Sequence, residues 1–239
     1  MVVHMIVRKI IVVHQRQWKK HVRELFLADH NKKNGLRYTG YLGDGDTKAF
    51  DEVVQSQPYG ESCTIKKLEC TNHVAKRLGR RLRDLVKSSK GLKLSDGKSI
   101  GGKNRLTSSR IDGLQSLYRK AIVENVSSID AMQNAILAVL YHSASTDKTP
   151  MHDYCPTVPN TWCKFNRAKR NRKSYKHNNP IPEAVFKAIM PIFNELSDPE
   201  LLEKCIHGGT QNLNESFNKM VWERSPKNGF SGLQSFKYL

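Results

Sequence analysis

The 239-residue chain is long enough for one large domain or two small ones, and its 38% hydrophobic and 26% charged residues are ordinary for a globular protein. No apolar run approaches the roughly 20 residues needed to cross a bilayer. Arg8 and Lys9 split the apolar stretch 2–13, and no small-residue cleavage site follows it. The sequence therefore predicts neither a membrane span nor a signal peptide.

The net charge of +18 is concentrated in two segments. Residues 66–105 hold 13 basic and 3 acidic residues, and residues 164–177 hold 7 basic residues and no acidic one. Clustering of this kind favours a polyanionic partner, because each neutralised phosphate releases counterions. A solvated basic surface or a nuclear-import signal is the alternative.

The first predicted elements have the order of an α/β domain. Residues 36–43 form a predicted strand, rich in aromatic and β-branched side chains, that runs into Asp44 and Asp46. A helix over 47–54 and a second strand over 63–70 follow. Strand, acidic turn, helix and strand in succession predict an α/β fold.

A basic helix comes next, over residues 74–86. Its apolar stripe has helical spacing, and a separate face carries basic side chains that could follow a phosphate backbone. The basic segment near residue 170 is the second candidate surface. The predicted DNA-binding residues are Lys76, Arg77, Arg80, Arg81, Arg83, Lys87, Lys169, Arg170, Arg172 and Lys173.

The rest of the chain is predicted to be mostly helical. Residues 88–109 are rich in Gly, Ser and Lys and predict a mobile loop, and residues 143–180 predict an irregular segment. Pro182 opens a helix that bends or ends at Pro191. Other helices are predicted over 111–124, 128–142 with Ser128 as cap, 199–205 and 212–224.

Three carboxylates are candidate ligands of a hard divalent cation. Asp44 and Asp46 follow a strand, where Mg²⁺ sites are common, although Asp and Gly are also the default residues of a turn. Glu215 begins the last predicted helix. Asn212 with Glu215 three residues later also fits a helix-capping arrangement, so the local pattern leaves both interpretations open.

The five cysteines, an odd number without a secretion signal, indicate thiols or metal ligands in a reducing compartment. Cys70 and His73 form a CxxH pair. A structural zinc site could combine them with Cys155 and Cys163, or draw on the other candidate ligands. Those others are His142, His152, Cys205 and His207.

An ordered set of motifs resembles the Mutator-like transposase domain, in the branch found in animal genomes. The motifs are GDGD after a strand, EC-x-x-H-V-x-K-R-x-G, LSDGK-x-x-GGK-x-RLT, CP…WCK-F-N and LSDPELL…TQN-x-NESFN…WER…PKN. The resemblance runs from Arg37 to Leu233.

The resemblance implies a ribonuclease-H-like catalytic core interrupted by a mostly helical insertion. Three acids of such a core bind two Mg²⁺ or Mn²⁺ ions that activate water or a DNA 3′-hydroxyl. By motif, Asp44 or Asp46 is the second acid, Glu215 is the third, and Cys70 and His73 match the family's CxxH. The implied division is a divergent segment 1–34, a partial core 35–87, a loop and helical insertion 88–208, and a C-terminal core helix 209–239.

The chain departs from the family in its N-terminal part. The first acid should lie on the first strand, yet no acidic residue precedes Glu24, and Asp29 is too close to Asp44 for the intervening elements. Residues 1–34 also lack the family's Gly/Ser-rich segment. We therefore expect a truncated or degenerate transposase that is inactive alone.

Two non-catalytic alternatives stay open. One is a transposon-derived DNA-binding remnant, and the other is a zinc-stabilised nuclear protein. All three interpretations, the transposase included, predict a nuclear location and no membrane partner. Each is also compatible with a homo-oligomer.

Overall fold

The structure, a computed structural model, describes residues 9–12, 37–43 and 47–210, together with Asn212, Ser216, Lys219, Met220 and Glu223. The candidate acids Asp44, Asp46 and Glu215 lie outside the described residues. The chain divides into two compact units. The sheet unit is Met1–Cys70 with Gly209–Leu239, and the helical unit is Thr71–Gly208.

The elements predicted between residues 36 and 205 are present in the predicted order, and the structure adds a strand, Lys9–Val12, and a helix, Lys164–Arg170, that were not predicted. The strands are β1 (Lys9–Val12), β2 (Tyr38–Gly43) and β3 (Lys66–Glu69). The helices are α1 (Thr47–Gln55), α2 (Thr71–Ser88), α3 (Ser108–Val123), α4 (Ile129–Ala144), α5 (Lys164–Arg170), α6 (Glu183–Leu196) and α7 (Pro199–Glu203), with a short 3₁₀ turn at Gly60–Ser62. The mixture is compatible with the predicted α/β class, with helix dominating.

In the sheet unit the three described strands are parallel and lie in the order β1-β2-β3. Helix α1 connects β2 to β3, the usual connection between parallel neighbours. A small apolar cluster of Tyr41, Val53, Tyr59 and Ile65 packs beside the sheet. The Tyr59 hydroxyl accepts a hydrogen bond from the backbone N–H of Tyr38 at 3.1 Å, which fixes the start of β2.

The helical unit has a continuous apolar core. Helices α2, α3, α4 and α6 contribute their apolar faces, and α7 packs on α4. Among the fully buried side chains is Tyr118, whose hydroxyl donates to the carbonyl oxygen of Leu196 at 2.7 Å. This bond satisfies a buried polar group and ties α3 to the end of α6.

Gly79 lies where α2 faces the side chain of Gln115 on α3. A Cβ at this position would meet the amide end of Gln115, which would have to rotate away. A glycine inside a helix costs up to about 1 kcal/mol relative to alanine, and at this position it leaves room for the Gln115 side chain.

The Gly/Ser/Lys-rich loop between α2 and α3 is irregular, yet it has internal anchors. Arg105 is buried and forms an ion pair with Asp96, and the N–H of Leu106 bonds the carbonyl of Ile100 at 3.1 Å. Ile100 and Leu106 are both 2% exposed and belong to the helical core. The loop is therefore attached to the unit it crosses.

Of the two alternatives predicted at Pro191, an end of the helix is excluded, because α6 continues to Leu196. The lost hydrogen bond is offset by burial of Phe193 and Leu196 beyond the proline. The segment predicted as irregular also contains α5, which has no buried residue and therefore lacks the apolar stripe that predicts a helix.

The partition into units also differs from the predicted one. Helix α2 groups with residues up to 208, whereas the predicted core 35–87 included it. Its apolar stripe packs on α3 and α6, which explains that grouping. No helix within the described residues combines the length and apolarity of a membrane span.

The buried face of α2 gives a stability prediction. Replacing Leu82, which is 0% exposed, by alanine should lower the free energy of unfolding by about 2–5 kcal/mol. Leu117→Ala on α3 is the control, because Leu117 is 45% exposed and should change stability by only about 0.5 kcal/mol. Urea unfolding at a fixed zinc concentration measures both, and equal losses would contradict the packing.

Candidate metal centre

Four potential metal ligands converge in the helical unit: His142, His152, Cys155 and Cys163. Their ligand atoms all lie within 4.8 Å of one another. Three of the side chains are buried and His142 is half-buried. Two thiols and two imidazoles in one buried cluster form the donor set of a Cys₂His₂ site.

The separations fit a tetrahedral zinc ion. Each sulfur lies 3.5–3.8 Å from the Nδ1 atoms of the two histidines. The two Nδ1 atoms are 3.2 Å apart. Zinc with bonds of about 2.3 Å to sulfur and about 2.05 Å to nitrogen would place tetrahedral S and N about 3.6 Å apart and the two N about 3.3 Å apart. The residues therefore fit zinc, and four protein ligands are typical of a structural site.

Local structure places each ligand. His142 lies in the last turn of α4, whose earlier turns are anchored in the apolar core. His152 and Cys155 share a tight turn, in which the N–H of Cys155 donates to the carbonyl of His152 at 2.9 Å. Cys163 is the N-terminal cap of α5, and its sulfur accepts from the N–H of Asn166 at 3.4 Å.

Burial shifts the pKa of His142, His152 and Cys155. It lowers the pKa of His152 to about 4, with the nearby His142 and His177 adding to the effect. The pKa of His142 is lowered by the same burial. Neutral imidazole is the form that binds metal, so both rings are ready as ligands. Burial, together with the neighbouring Cys163, raises the pKa of Cys155, so metal binding there must displace a thiol proton.

A hydrogen-bond network holds the outer side of His152. Its Nε2 lies 2.8 Å from Ser145 Oγ and 2.9 Å from His177 Nε2, and His177 Nδ1 lies 2.6 Å from Asp147 Oδ1. If Nδ1 of His152 binds metal, Nε2 carries the proton and donates to Ser145. The serine hydroxyl can then donate to His177, which donates to Asp147. Outer partners of this kind fix the orientation of a metal-binding histidine.

Aromatic rings cover two sides of the centre. Phe165 stacks on His152 with ring centroids 4.0 Å apart and planes 8° apart. Trp162 contacts His142 edge-on at 5.0 Å. These rings limit access of water to the ligands and keep the imidazoles in place.

The structure groups Cys155 and Cys163 with two histidines that the sequence analysis kept as alternatives. Cys70 and His73 are not members of this group. The sequence did hold the relevant signal, because His152 and Cys155 have the same two-residue spacer as the CxxH pair. Any role of Cys70 and His73 stays a prediction.

The other predicted site residues fall into two sets. The basic residues lie in the helical unit, on α2 and in the segment at and after α5, where Arg77 and Arg81 are half-buried and the others are exposed. The catalytic candidates Asp44, Asp46 and Glu215 are outside the described residues, and their roles stay predictions.

Fold and site together describe a mostly helical protein, compatible with the α/β class, whose helical unit contains the geometry of a Cys₂His₂ metal centre. A family model described as Mutator-like transposase matches residues 19–163, more than half of the chain. The chain therefore belongs to the Mutator-like transposase family, and three of the four ligands, His142, His152 and Cys155, lie inside the match, which ends on the fourth, Cys163. No curated protein and no solved structure matches the chain.

The range of the match differs from that of the motif resemblance. It includes residues 19–34, so the prediction that all of 1–34 lies outside the resemblance is wrong for those residues. It stops before the NESFN motif around Glu215. A family of transposases implies DNA as the partner and a divalent metal in catalysis.

The ligand set can be tested with a matched pair of histidines. The chain is expected to bind about one zinc ion, as a closed four-ligand site does. His142→Ala should remove that zinc and lower the melting temperature, because the ion stabilises only the folded state. His73→Ala should keep it. Metal analysis after gel filtration measures the content, and loss of zinc in His73→Ala alone would refute this ligand set.

Proposed function

We propose that this chain is a nuclear DNA-binding protein derived from a Mutator-like transposase, and that it does not cleave DNA by itself. The observation that carries the DNA-binding part is the exposed cationic face of α2. Family membership supports the same partner.

The two faces of α2 differ sharply in character. Val74, Leu78 and Leu82 are 0% exposed and face the core. The exposed positions of the same helix include four basic side chains, which are Lys76, Arg80, Arg83 and Lys87. A rigid helix with cations at successive turns suits contacts to consecutive phosphates, because positions three and four apart lie on one face.

Existing ion pairs do not prevent such contacts. Arg80 lies 3.7 Å from Asp84, and Arg83 is paired with Asp112, but all four side chains are well exposed. Exposed pairs contribute about 0–1 kcal/mol and are screened by salt. A phosphate can therefore replace either carboxylate at little cost.

Charge reversal on this face tests DNA binding. Arg80→Glu with Arg83→Glu should weaken binding to duplex DNA and lower the salt slope by roughly one for each lost phosphate contact. Lys120→Glu with Lys187→Glu is the control, because it makes the same change in net charge at exposed helix positions elsewhere in the unit. Fluorescence anisotropy over a salt series measures both, and equal losses in the two variants would mean that α2 is not the contact surface.

The sheet unit supports a ribonuclease-H-like origin. Its described strands are all parallel, β2 is central, and the Asp-Gly-Asp sequence directly follows β2. The carboxyl end of a central parallel strand is where acidic residues of such cores bind metal. There the acids would hold divalent ions that polarise the phosphate and activate the attacking oxygen.

The strand beside β2 supports the absence of cleavage. β1 pairs in parallel with β2, with Ile10 opposite Gly40 and Val12 opposite Leu42. The first acid of the triad is expected on such a neighbouring strand, but the sequence of β1 is Lys-Ile-Ile-Val. With one carboxylate fewer, the remaining acids would hold two cations poorly.

A nicking assay tests the catalytic part. Supercoiled plasmid incubated with the purified chain and Mg²⁺ or Mn²⁺ should show no more nicking than with Glu215→Gln. The reason is that the intact chain already lacks one of the three acids. Metal-dependent nicking that disappears in Glu215→Gln would show that this chain is a complete enzyme and would overturn this part of the proposal.

A further inference from the structure

We propose that metal bound at the Cys₂His₂ centre orders the basic segment 164–177 as a DNA-binding element, so that metal loading and DNA affinity are coupled. This inference rests on the proposed function. It adds a second contact surface and makes that surface dependent on metal.

Both ends of the basic segment are attached to the centre. At its start, Cys163 is a ligand and also caps α5. At its end, the Nε2 atom of His177 lies 2.9 Å from His152 Nε2 and 2.9 Å from Ser145 Oγ. The segment therefore forms a loop that is closed on the metal ligands.

Few other contacts hold the segment. No residue between Ala144 and Ile181 is buried in the main core cluster, and α5 itself has no buried residue. A seven-residue helix is unstable alone, because helix nucleation is unfavourable. Phe165, stacked on His152, and Asn166, whose side-chain amide donates to the carbonyl oxygens of Cys155 and Pro156 at 3.3 and 3.2 Å, attach it to the ligands. Its order depends on the centre.

The basic side chains are left on the outside. All of them are exposed, and within the described residues none forms an ion pair with a carboxylate. They are Lys164, Arg167, Lys169, Arg170, Arg172, Lys173 and Lys176. With no acid in the segment, these cations repel one another, and a polyanion that binds them relieves the repulsion. Duplex DNA is a dense polyanion and is the partner that the family implies.

Metal loading raises DNA affinity by ordering the basic segment and not by adding positive charge. A zinc ion held by two thiolates and two neutral imidazoles carries no net charge, so loading adds no cation to the surface. A gain in DNA affinity on loading must then come from fixing the positions of the basic side chains. Basic side chains that are already fixed lose less conformational entropy when DNA binds.

The experiment compares DNA affinity of the full chain with stoichiometric zinc and after chelation, by anisotropy of a short labelled duplex. We expect zinc removal to weaken binding about tenfold or more, as for loss of several phosphate contacts. His177→Ala, measured with zinc bound, should also weaken binding severalfold while all four ligands stay in place. This variant keeps the test valid if the metal-free chain unfolds.

Charge variants show where the metal acts. Changing Lys169, Arg170, Arg172 and Lys173 to Gln should weaken binding and largely abolish its dependence on zinc. The matched control changes Lys90, Lys93, Lys98 and Lys103 to Gln, because these lysines are exposed in the loop before α3 and have no link to the centre. That control should keep the full dependence on zinc.

Three results would overturn the coupling. They are equal DNA affinity of folded zinc-loaded and zinc-free chains, unchanged affinity of zinc-loaded His177→Ala, and full zinc dependence in the segment variant. Tighter binding to an RNA hairpin than to duplex DNA would overturn the ligand class. Absence of any DNA binding by the zinc-loaded chain would refute the proposed function as well, whereas zinc-independent binding would refute the coupling alone.

Discussion

Two thiols and two imidazoles meet between the end of α4 and the start of α5, and the local structure from His142 to His177 depends on their meeting. The inner atoms of the four groups face one another, with each sulfur 3.5–3.8 Å from both Nδ1 atoms, and thiol–imidazole contacts of this length are weak. A zinc ion bound there would join all four groups in one closed tetrahedron. The apolar core does not take over this task, because its main cluster has no buried member between Ala144 and Ile181.

The helical unit thus uses two kinds of stabilisation in different places. Helices α2, α3, α4 and α6 are held by buried apolar side chains, and the segment after α4 is held by the four candidate ligands and their outer partners. Helix α4 takes part in both, since Ile136 and Leu140 lie in the core and His142 lies in the centre. The two basic surfaces divide in the same way. The cations of α2 lie on a helix that packs on the apolar core, and those of residues 164–177 lie on a segment that is attached to the Cys₂His₂ centre.

The sequence predicted the helices where local signals and burial agree. Ser128 caps α4 as expected, with its hydroxyl accepting from the N–H of Ala131 at 3.2 Å, and Asp198 caps α7. Helix α5 was missed because it depends on ligand contacts that leave no hydrophobic period. Of the four zinc ligands given as the example from sequence, the structure places Cys155 and Cys163 in the candidate centre. The pairing with His142 and His152 could not be chosen from sequence, because only folding shows which of several histidines reaches them.

The spacing between the ligands has a consequence for recognising related chains. The two residues between His152 and Cys155 are fixed by a turn, so a change in their number would move a ligand. The stretch 157–160, between the two cysteines, is exposed throughout. Lengthening a surface loop twofold costs only about 0.6 kcal/mol in closure entropy. A search pattern for this centre should therefore keep the His-x-x-Cys spacing constant and allow the gap to the second cysteine to vary.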